Sequence, residues 1–577
     1  EGKAEYEAPK TMEEELLCKA FGEVLGISQV GIYDDFFELG GHSLKAMSLV
    51  NIIAKMTKKN ILVKDIFECR NVEKLLKRLG KKDVYKYNLP VVEEKEYYEA
   101  SPGEKKMYIS HKLDEDSTVY NMPFMWKING KLDISKMEKI VRKVVERHEI
   151  LRTEFVERGG KLQQRILKKL LVDFEYQQCE EEEVGNLVSQ AIVPFNLNKA
   201  PLFRVKIIRC NRYDYLFIDL HHIICDGVSI RIFMNEMEDL YNGKELLPIQ
   251  YQYKNYSEWI RQNDLEIEKD FWKKELSKDI QFEAFPYDYF NSVKSFGKKN
   301  TLISHIPDAT YEVIKEISRK QAVTEYMLFL TILIILLKQY SNTSSVIIGT
   351  PVAGRTNKDA EGIMGMFVNT LPFILEDINE EESISGLLQR VKNKCIDIFT
   401  NENYSSDELE ENGVGNQYNV VYSIQNDQEY ELKFNNLKVE KCTKYIEDKG
   451  GDAKFTLSFA ILLNKEECKV GIEYRIDLFR PETVAQLVEH YKFIIQQLVN
   501  NEDMPLKCIE KCTDREKEII LNKYNCKNVS SLNKKTIVDL FEEQVKENPE
   551  LTALVYGDKT MTYRELNEKA NALGHRL

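Results

Sequence analysis

The sequence lacks several features, and each absence narrows what the protein can do. No uninterrupted apolar run approaches the roughly 18 residues that a membrane span needs. The most apolar stretch, MLFLTILIILL from Met327 to Leu337, is bracketed by polar residues and predicts a buried helix. The opening EGKAEYEAPK has no signal-peptide pattern and no initiating methionine, so the chain is expected to be a piece of a longer one. Positive charge is outweighed: 81 Lys and Arg against 94 Asp and Glu give a formal net charge of −13. That balance argues against nucleic acid or an anionic membrane as the default partner. The eleven cysteines are an odd number, scattered, without a CxxC pair. They fit a reduced cytoplasmic protein and exclude a dense disulfide framework or an evident zinc site. Short repeats and low-complexity tracts are also missing.

What is present divides along the chain. The 577 residues exceed one domain. From Thr11, TMEEELLCKAFGEVLG has a capping box (Thr11 with Glu14) and apolar residues at helical spacing, with Gly26 as a stop. Helical patterns follow from Leu44 to Met56, near Ile66, and after Asn71, so residues 11–80 predict a small four-helix bundle. Residues 1–10 read as a linker from an upstream domain. Residues 81–96 are charged, contain Pro90, have no sustained period and read as a second linker. Between residues 97 and 526, helical segments alternate with strand-like runs such as LFRVKIIRC and SSVIIGTPV. That is α/β material too long for one core, predicting two lobes, 97–270 and 271–526. Residues 527–577 change pattern once more, to helix, strand, turn, strand and helix.

Two stretches carry chemistry. In DDFFELGGHSLKAMSLV, Asp34 to Val50, a Gly-Gly turn presents Ser43 at a helix start, where free amides favour an anion such as a phosphoester. An isolated GGxS would read as an ordinary serine cap. The whole run, on a bundle of this size, resembles the peptidyl carrier domain of nonribosomal peptide synthetases. The resemblance implies a 4′-phosphopantetheine arm on Ser43, added by a separate phosphopantetheinyl transferase. AEYEAPKTMEEELL resembles the join between an adenylation domain and its carrier.

The second stretch is LFIDLHHIICDGVS, Leu216 to Ser229. Neighbouring strand residues face opposite sides, so His221 and His222 cannot both enter one cleft and are poor joint ligands for a metal. Alone, the pair reads as core histidines followed by an Asp226-Gly227 turn. HHIICDG, however, fits HHxxxDG, the signature of condensation domains, two-lobed relatives of chloramphenicol acetyltransferase. Other segments agree in order: SPGEKKMY (with Gly103 and Glu104 where Ala-Gln is usual), RHEILRTEF, YKNYSEW, IGTPVAGR with MGMFVNTLP, QYNVVYSIQN, AKFTLS (Thr456 departing from KFDL) and YRIDLF. The resemblance covers nearly all of residues 97–526. It implies that His222 faces a tunnel between the lobes, that His221 and Asp226 are structural, and that Gly227 keeps the approach open. A buried aspartate needs a partner; Arg147 is the first candidate and Arg152 the second.

The implied reaction is aminolysis of a thioester held on Ser43 by the amine of an amino acid on a downstream carrier, needing no metal or nucleotide. An imidazole there could accept the proton, orient the amine or bond the tetrahedral intermediate, and the residues leave these roles open. An epimerization domain and a non-catalytic recruitment platform are the rivals. MGMFVNT in place of a GWFT-like run, and His42 before Ser43, favour condensation with an L-type donor. MTYRELNEKANALGHRL resembles the first core motif of an adenylation domain, so residues 527–577 are expected to be its truncated start. The expected partners are an upstream adenylation domain and downstream adenylation and acceptor carrier domains, in a bacterial, cytoplasmic assembly line.

Overall fold

A computed structural model describes residues 6–27, 29–41, 43–57, 61, 63–79, 89–172, 174–262, 265–277, 285–289, 297–341, 343–404, 418–426, 432–435, 437–447, 452–464, 467–524 and 535–577. His42, residues 1–5, the first half of the 81–96 linker and the 526/527 boundary lie outside them. The described chain forms two units, Glu1–Lys511 and Cys512–Leu577.

The first unit opens with four helices, Met12–Leu25, Ser43–Thr57, Val63–Cys69 and Val72–Leu79. The expected capping box forms, with Thr11 and Glu14 satisfying each other's backbone amides, and Gly26 closes the first helix in the left-handed region at φ 76°. Leu17, Phe21, Phe36, Leu49, Ile53 and Phe67 are buried among these helices, and Phe21 meets Phe36 edge to face at 5.3 Å. Asp35 and Arg70 pair across the bundle.

The next part holds a five-stranded sheet ordered Lys438–Lys441, Asn121–Asn129, Tyr213–His221, Phe203–Arg209, Phe174–Gln178. Apolar side chains on it pack against helices Ile134–Arg147 and Gly227–Tyr241. The other lobe holds a seven-stranded sheet ordered Asn369–Leu375, Val346–Val352, Val420–Asn426, Leu457–Leu463, Cys468–Arg475, Gly297–Ile306, Asp452–Ala453. Helix Glu325–Ser341 runs through the core of this lobe. Every residue of MLFLTILIILL is buried there, and among the described residues no single helix is long and apolar enough to cross a membrane.

Three features depart from a simple chain-order division. Strand Lys438–Lys441 returns to the first lobe's sheet, pairing antiparallel with Asn129 to Trp126. Ala360, Ile363, Met364, Met366 and Phe367, which follow a strand of the second lobe, are buried in the first lobe's core. The stretch 89–96 is not a free tether along its whole length: Leu89 is buried in that same core, and Asn255 Nδ2 donates to the Pro90 carbonyl at 2.9 Å. An apolar residue beside a backbone acceptor supplies an anchor that the surrounding charge obscures.

The bundle rests on the second lobe. Helix Val63–Cys69 lies against helix Ile384–Thr400, and helix Ser43–Thr57 lies against the turn Lys358–Ala360.

The second unit contains helix Ile537–Glu547, antiparallel strands Thr552–Tyr556 and Lys559–Thr562, and helix Tyr563–Gly574. It buries none of its helical residues and leaves Ile537, Val538, Leu540, Val555 and Tyr556 exposed.

Candidate active site

The histidine strand, Tyr213–His221, is flanked on both sides in its sheet, and every residue from Asp214 to His221 is buried. Its acids are paired, as burial requires: Asp214 with Arg209 at 2.7 Å and Asp219 with Arg204 at 2.9 Å. Burial still pushes Asp219 up to about 7.

The strand ends between the two histidines. His221 is its last residue, and His222 opens a short 3-10 turn, His222–Ile224. The two side chains are therefore separated by a change of backbone direction, not only by strand alternation. His221 Nδ1 accepts the Ile223 amide at 3.1 Å, which fixes the neutral tautomer with hydrogen on Nε2. Its ring stands edge-on to His111 at 5.2 Å and to Phe195 at 5.9 Å. Burial holds its pKa well below the ordinary value. His222 is anchored through its backbone amide, which donates to the Tyr120 carbonyl at 2.8 Å. Burial, with the nearby Lys454 cation, lowers its pKa to about 3. Yet its side chain is not fully covered, unlike that of His221. A group so desolvated that still keeps open surface belongs in a recess.

Asp226 caps the helix Gly227–Tyr241. Its Oδ1 accepts from Ser229 N and Ser229 Oγ, both at 2.7 Å, which is the ordinary way to satisfy a helix start. Its charge is met by Arg355, whose Nη2 lies 3.0 and 3.1 Å from the two carboxylate oxygens. Arg355 also donates to the carbonyls of Ala360 and, at 2.7 Å, Ile363, and its guanidinium sits 3.8 Å from the Phe367 ring centroid. Ser229 Oγ in turn accepts the Gly365 amide at 3.0 Å and lies 2.9 Å from the Gly365 carbonyl oxygen. Gly365 has no room for a side chain: a Cβ would sit 1.9 Å from the Tyr253 ring.

The two expected partners of Asp226 are elsewhere. Arg147 pairs with Glu236 at 2.9 Å, and Arg152 donates to the Leu167 carbonyl. Glu236 lies ten residues beyond Asp226, about 15 Å along a helix that rises 1.5 Å per residue. Arg147 therefore belongs to the far end of that helix and cannot neutralise its cap. The cation comes instead from the end of IGTPVAGR, a segment quoted for its pattern but given no role. Lys454, from AKFTLS, and Tyr120 were equally unassigned.

Gly227 is exposed and its φ is ordinary; a Cβ there would meet nothing within 4 Å. Neither backbone strain nor packing demands glycine at this position. Before Ser43, both glycines are demanded. Gly40 has φ 94°, and a Cβ on Gly41 would lie 2.4 Å from the Phe36 ring. Together they turn the chain into the helix that Ser43 begins.

Glu104, one departure from the opening motif, is fully buried. Its Oε2 accepts from Ser101 N at 2.8 Å and Gln164 Nε2 at 2.7 Å, and among the described residues Oε1 has no partner. Burial pushes its pKa up to about 8.

Comparison with known proteins agrees with this architecture. The carrier-sized bundle followed by a two-lobed α/β body is the chloramphenicol-acetyltransferase-like arrangement. Residues 94–521 match the family described as Condensation domain, and residues 15–79 match Phosphopantetheine attachment site. Gramicidin S synthase 2 of Brevibacillus brevis is 34% identical over 592 residues, covering 100% of this chain and 13% of that protein. Bacitracin synthase 1 of Bacillus licheniformis is 32% identical, covering 99% of this chain and 11% of its own length. The chain thus spans a small fraction of these relatives. A four-domain nonribosomal peptide synthetase bound to AMP and glycine superposes with a TM-score of 0.68 at 17% identity, over 85% of this chain and 39% of that one. The chain belongs to the condensation-domain family and carries a phosphopantetheine attachment domain ahead of it.

Arg355→Ala leaves the Asp226 charge buried without its partner and should cost about 3–5 kcal/mol, seen as a large fall in the thermal midpoint. Arg147→Ala, which removes a partly exposed pair, should cost about 1 kcal/mol. Glu104 gives a pH signature. As pH rises from 4.5 toward about 8, the unfolded chain sheds this proton while the folded chain keeps it, so stability falls across that window. Glu104→Gln has the same shape without the proton. It should melt several degrees above wild type at pH 8 and within about a degree of it near pH 4.5, measured by calorimetry.

Proposed function

We propose that this chain forms an amide bond between an acyl or peptidyl group held as a thioester at Ser43 and the amine of an amino acid on a downstream carrier. The observation that supports it best is the break between the two histidines: His221 is locked and covered, and His222 is presented in a recess. The open space beside Gly227 suits an approach path to that recess.

The residues around Ser43 fit a phosphopantetheine arm. The Gly40-Gly41 turn puts Ser43 at the start of a fifteen-residue helix, whose free amides and dipole favour the phosphate. When attached, the arm supplies an activated acyl group as a thioester. The chain's own residues then have to orient the amine and receive charge.

His222 is the residue we assign to the amine. An imidazole whose pKa is about 3 is neutral at any working pH. It is also a weak base, because an efficient general base has a pKa near the operating pH. His222 therefore acts chiefly by accepting a hydrogen bond from the amine and aiming its lone pair at the carbonyl, a proximity effect. Asp226 and His221 act through it: the first fixes the helix that follows the turn, the second fills the wall behind it. Gly227 leaves the approach clear.

The remaining assignments are part of the same reading. Residues 11–80 are the carrier, 97–270 and 271–526 the two lobes apart from the segments that cross into the first, and the donor is of the L type. Residues 527–577 begin an adenylation domain, and the exposed apolar face of helix Ile537–Glu547 is what the rest of such a domain would cover. A phosphopantetheinyl transferase loads Ser43, and adenylation domains on either side supply the amino acids.

With both carriers loaded, His222→Ala should lower the condensation rate by about a hundredfold or more without changing the thermal midpoint. A full rate in that variant would end the assignment, and a D residue on the arm would favour epimerization. The wild-type rate profile should show no break between pH 5 and 7 attributable to His222. Ser43→Ala should abolish the pantetheine mass gain that wild type shows with a transferase and coenzyme A.

A further inference from the structure

Lys454 is the group near His222 that the reading above leaves without a task. It follows Asp452–Ala453, a two-residue strand at the edge of the second lobe's sheet that pairs with Lys298 and Gly297. From there the chain reaches the first lobe. Ser117 Oγ donates to Asp452 Oδ2 at 3.2 Å, and Lys454 Nζ lies 4.9 Å from the Tyr120 ring centroid. Tyr120 is the residue whose carbonyl holds the His222 amide. Two fixed contacts thus carry Lys454 across the gap between lobes and set it over the residue that anchors the histidine turn.

The surroundings do not explain why a cation stands here. Among the described residues no hydrogen bond or ion pair holds the Lys454 ammonium; Glu473, the acid whose charge acts on it, is engaged by Lys299 at 2.7 Å. The groups that face it are His222, His221, the Cys225 thiol, Lys299 and Glu473, with the Tyr120 ring beneath. Both imidazoles are neutral, and burial keeps the thiol protonated. A recessed ammonium without a fixed anion is costly. Its side chain, like that of His222, keeps some open surface.

We propose that Lys454 is a catalytic residue whose ammonium hydrogen-bonds the acyl carbonyl oxygen as that oxygen becomes an oxyanion, opposite the amine held by His222. This rests on the amide-forming reading. The amine lone pair forms the new C–N bond, and the carbonyl π pair moves onto oxygen, where Lys454 meets it. When the carbonyl reforms, the C–S bond breaks and its pair leaves on sulfur. The proton lost by nitrogen ends on that sulfur as a thiol. Lys454 finishes as it began, and no further reactant is needed. A preset donor aimed at developing charge in a desolvated site is an effective form of electrostatic stabilisation.

Burial lowers the Lys454 pKa to about 8, with Glu473 opposing and Lys299 adding to the fall. The cation should therefore serve below that pH and fade above it.

The test uses two pantetheine analogues and the whole chain. One carries a phosphonate, with an anionic oxygen where the oxyanion forms; the other is the matching neutral amide. Wild type should bind the phosphonate more tightly by calorimetry at pH 7, and that preference should decline above pH 8. Lys454→Met should lose about 10–100-fold in phosphonate affinity while binding the amide within about twofold. Lys454→Arg should keep much of the preference and hold it to higher pH. Equal losses for both analogues in Lys454→Met would mean a structural role and overturn the proposal. It also fails if wild type shows no preference for the phosphonate, or if Lys454→Arg loses its preference at the same pH as wild type. Product formation by wild type with both carriers loaded reports separately on amide formation, so the two readings can fail independently.

Discussion

The site depends on the buried pair between Asp226 and Arg355. A carboxylate in this interior is tolerable only with a cation in good geometry and with its remaining lone pairs satisfied, and Asp226 has both. Its partner comes from the other lobe. Arg355 is also bonded to the carbonyls of Ala360 and Ile363, so the same guanidinium that neutralises the cap organises the segment threading into the first lobe's core. Ser229 and Gly365 add a second link between the same two segments. The turn containing Ala360 is the one against which the helix beginning at Ser43 rests. Carrier, second lobe and histidine turn therefore share one polar centre, and the lobes cannot shift far at that point without exposing a charge.

The histidines show how burial, not sequence proximity, assigns roles. Both rings are neutral, and both lie where charging them is unfavourable. They differ in what surrounds them. His221 has a fixed tautomer and aromatic edges on two sides. His222 has its backbone fixed and its side chain incompletely covered. The strand ends after His221, and the chain turns at His222 into the short 3-10 segment His222–Ile224.

Much of this was legible in the sequence because it is local. Capping boxes, the buried apolar helix, the Gly-Gly turn before Ser43 and the separation of the two histidines all follow from spacings of a few residues. What was misread is long-range. Arg147 is the first candidate for Asp226, and nothing local says that its contact falls on Glu236, ten residues further along the helix. Arg355 is 129 residues from Asp226 and was visible only as the last letter of IGTPVAGR. The return of Lys438–Lys441 to the first sheet and the docking of Leu89 fail for the same reason: pairing partners are set by the assembled fold, and periodicity does not name them.

The acids near the site give the last step. Tyr256 is fully buried, and Asp226, Glu104 and Glu402 all lie near enough to oppose its ionisation. Among the described residues, Asp226 is the one of these three in a direct ion pair. Among the described residues Glu402 has no partner for either carboxylate oxygen, and burial pushes both Glu402 and Glu104 up to about 8. They can remain in the interior because they can hold a proton, whereas Asp226 is met by Arg355. This part of the interior thus contains one compensated ion pair and two acids that stay neutral near pH 7. Beside the histidine turn, both imidazoles are neutral as well. In such surroundings the Lys454 ammonium, which among the described residues has no hydrogen bond or ion pair, acts beside the Lys299–Glu473 pair at low screening. A reaction that passes from neutral amine and thioester through a separated charge pair gains most in a site whose own charges are already cancelled.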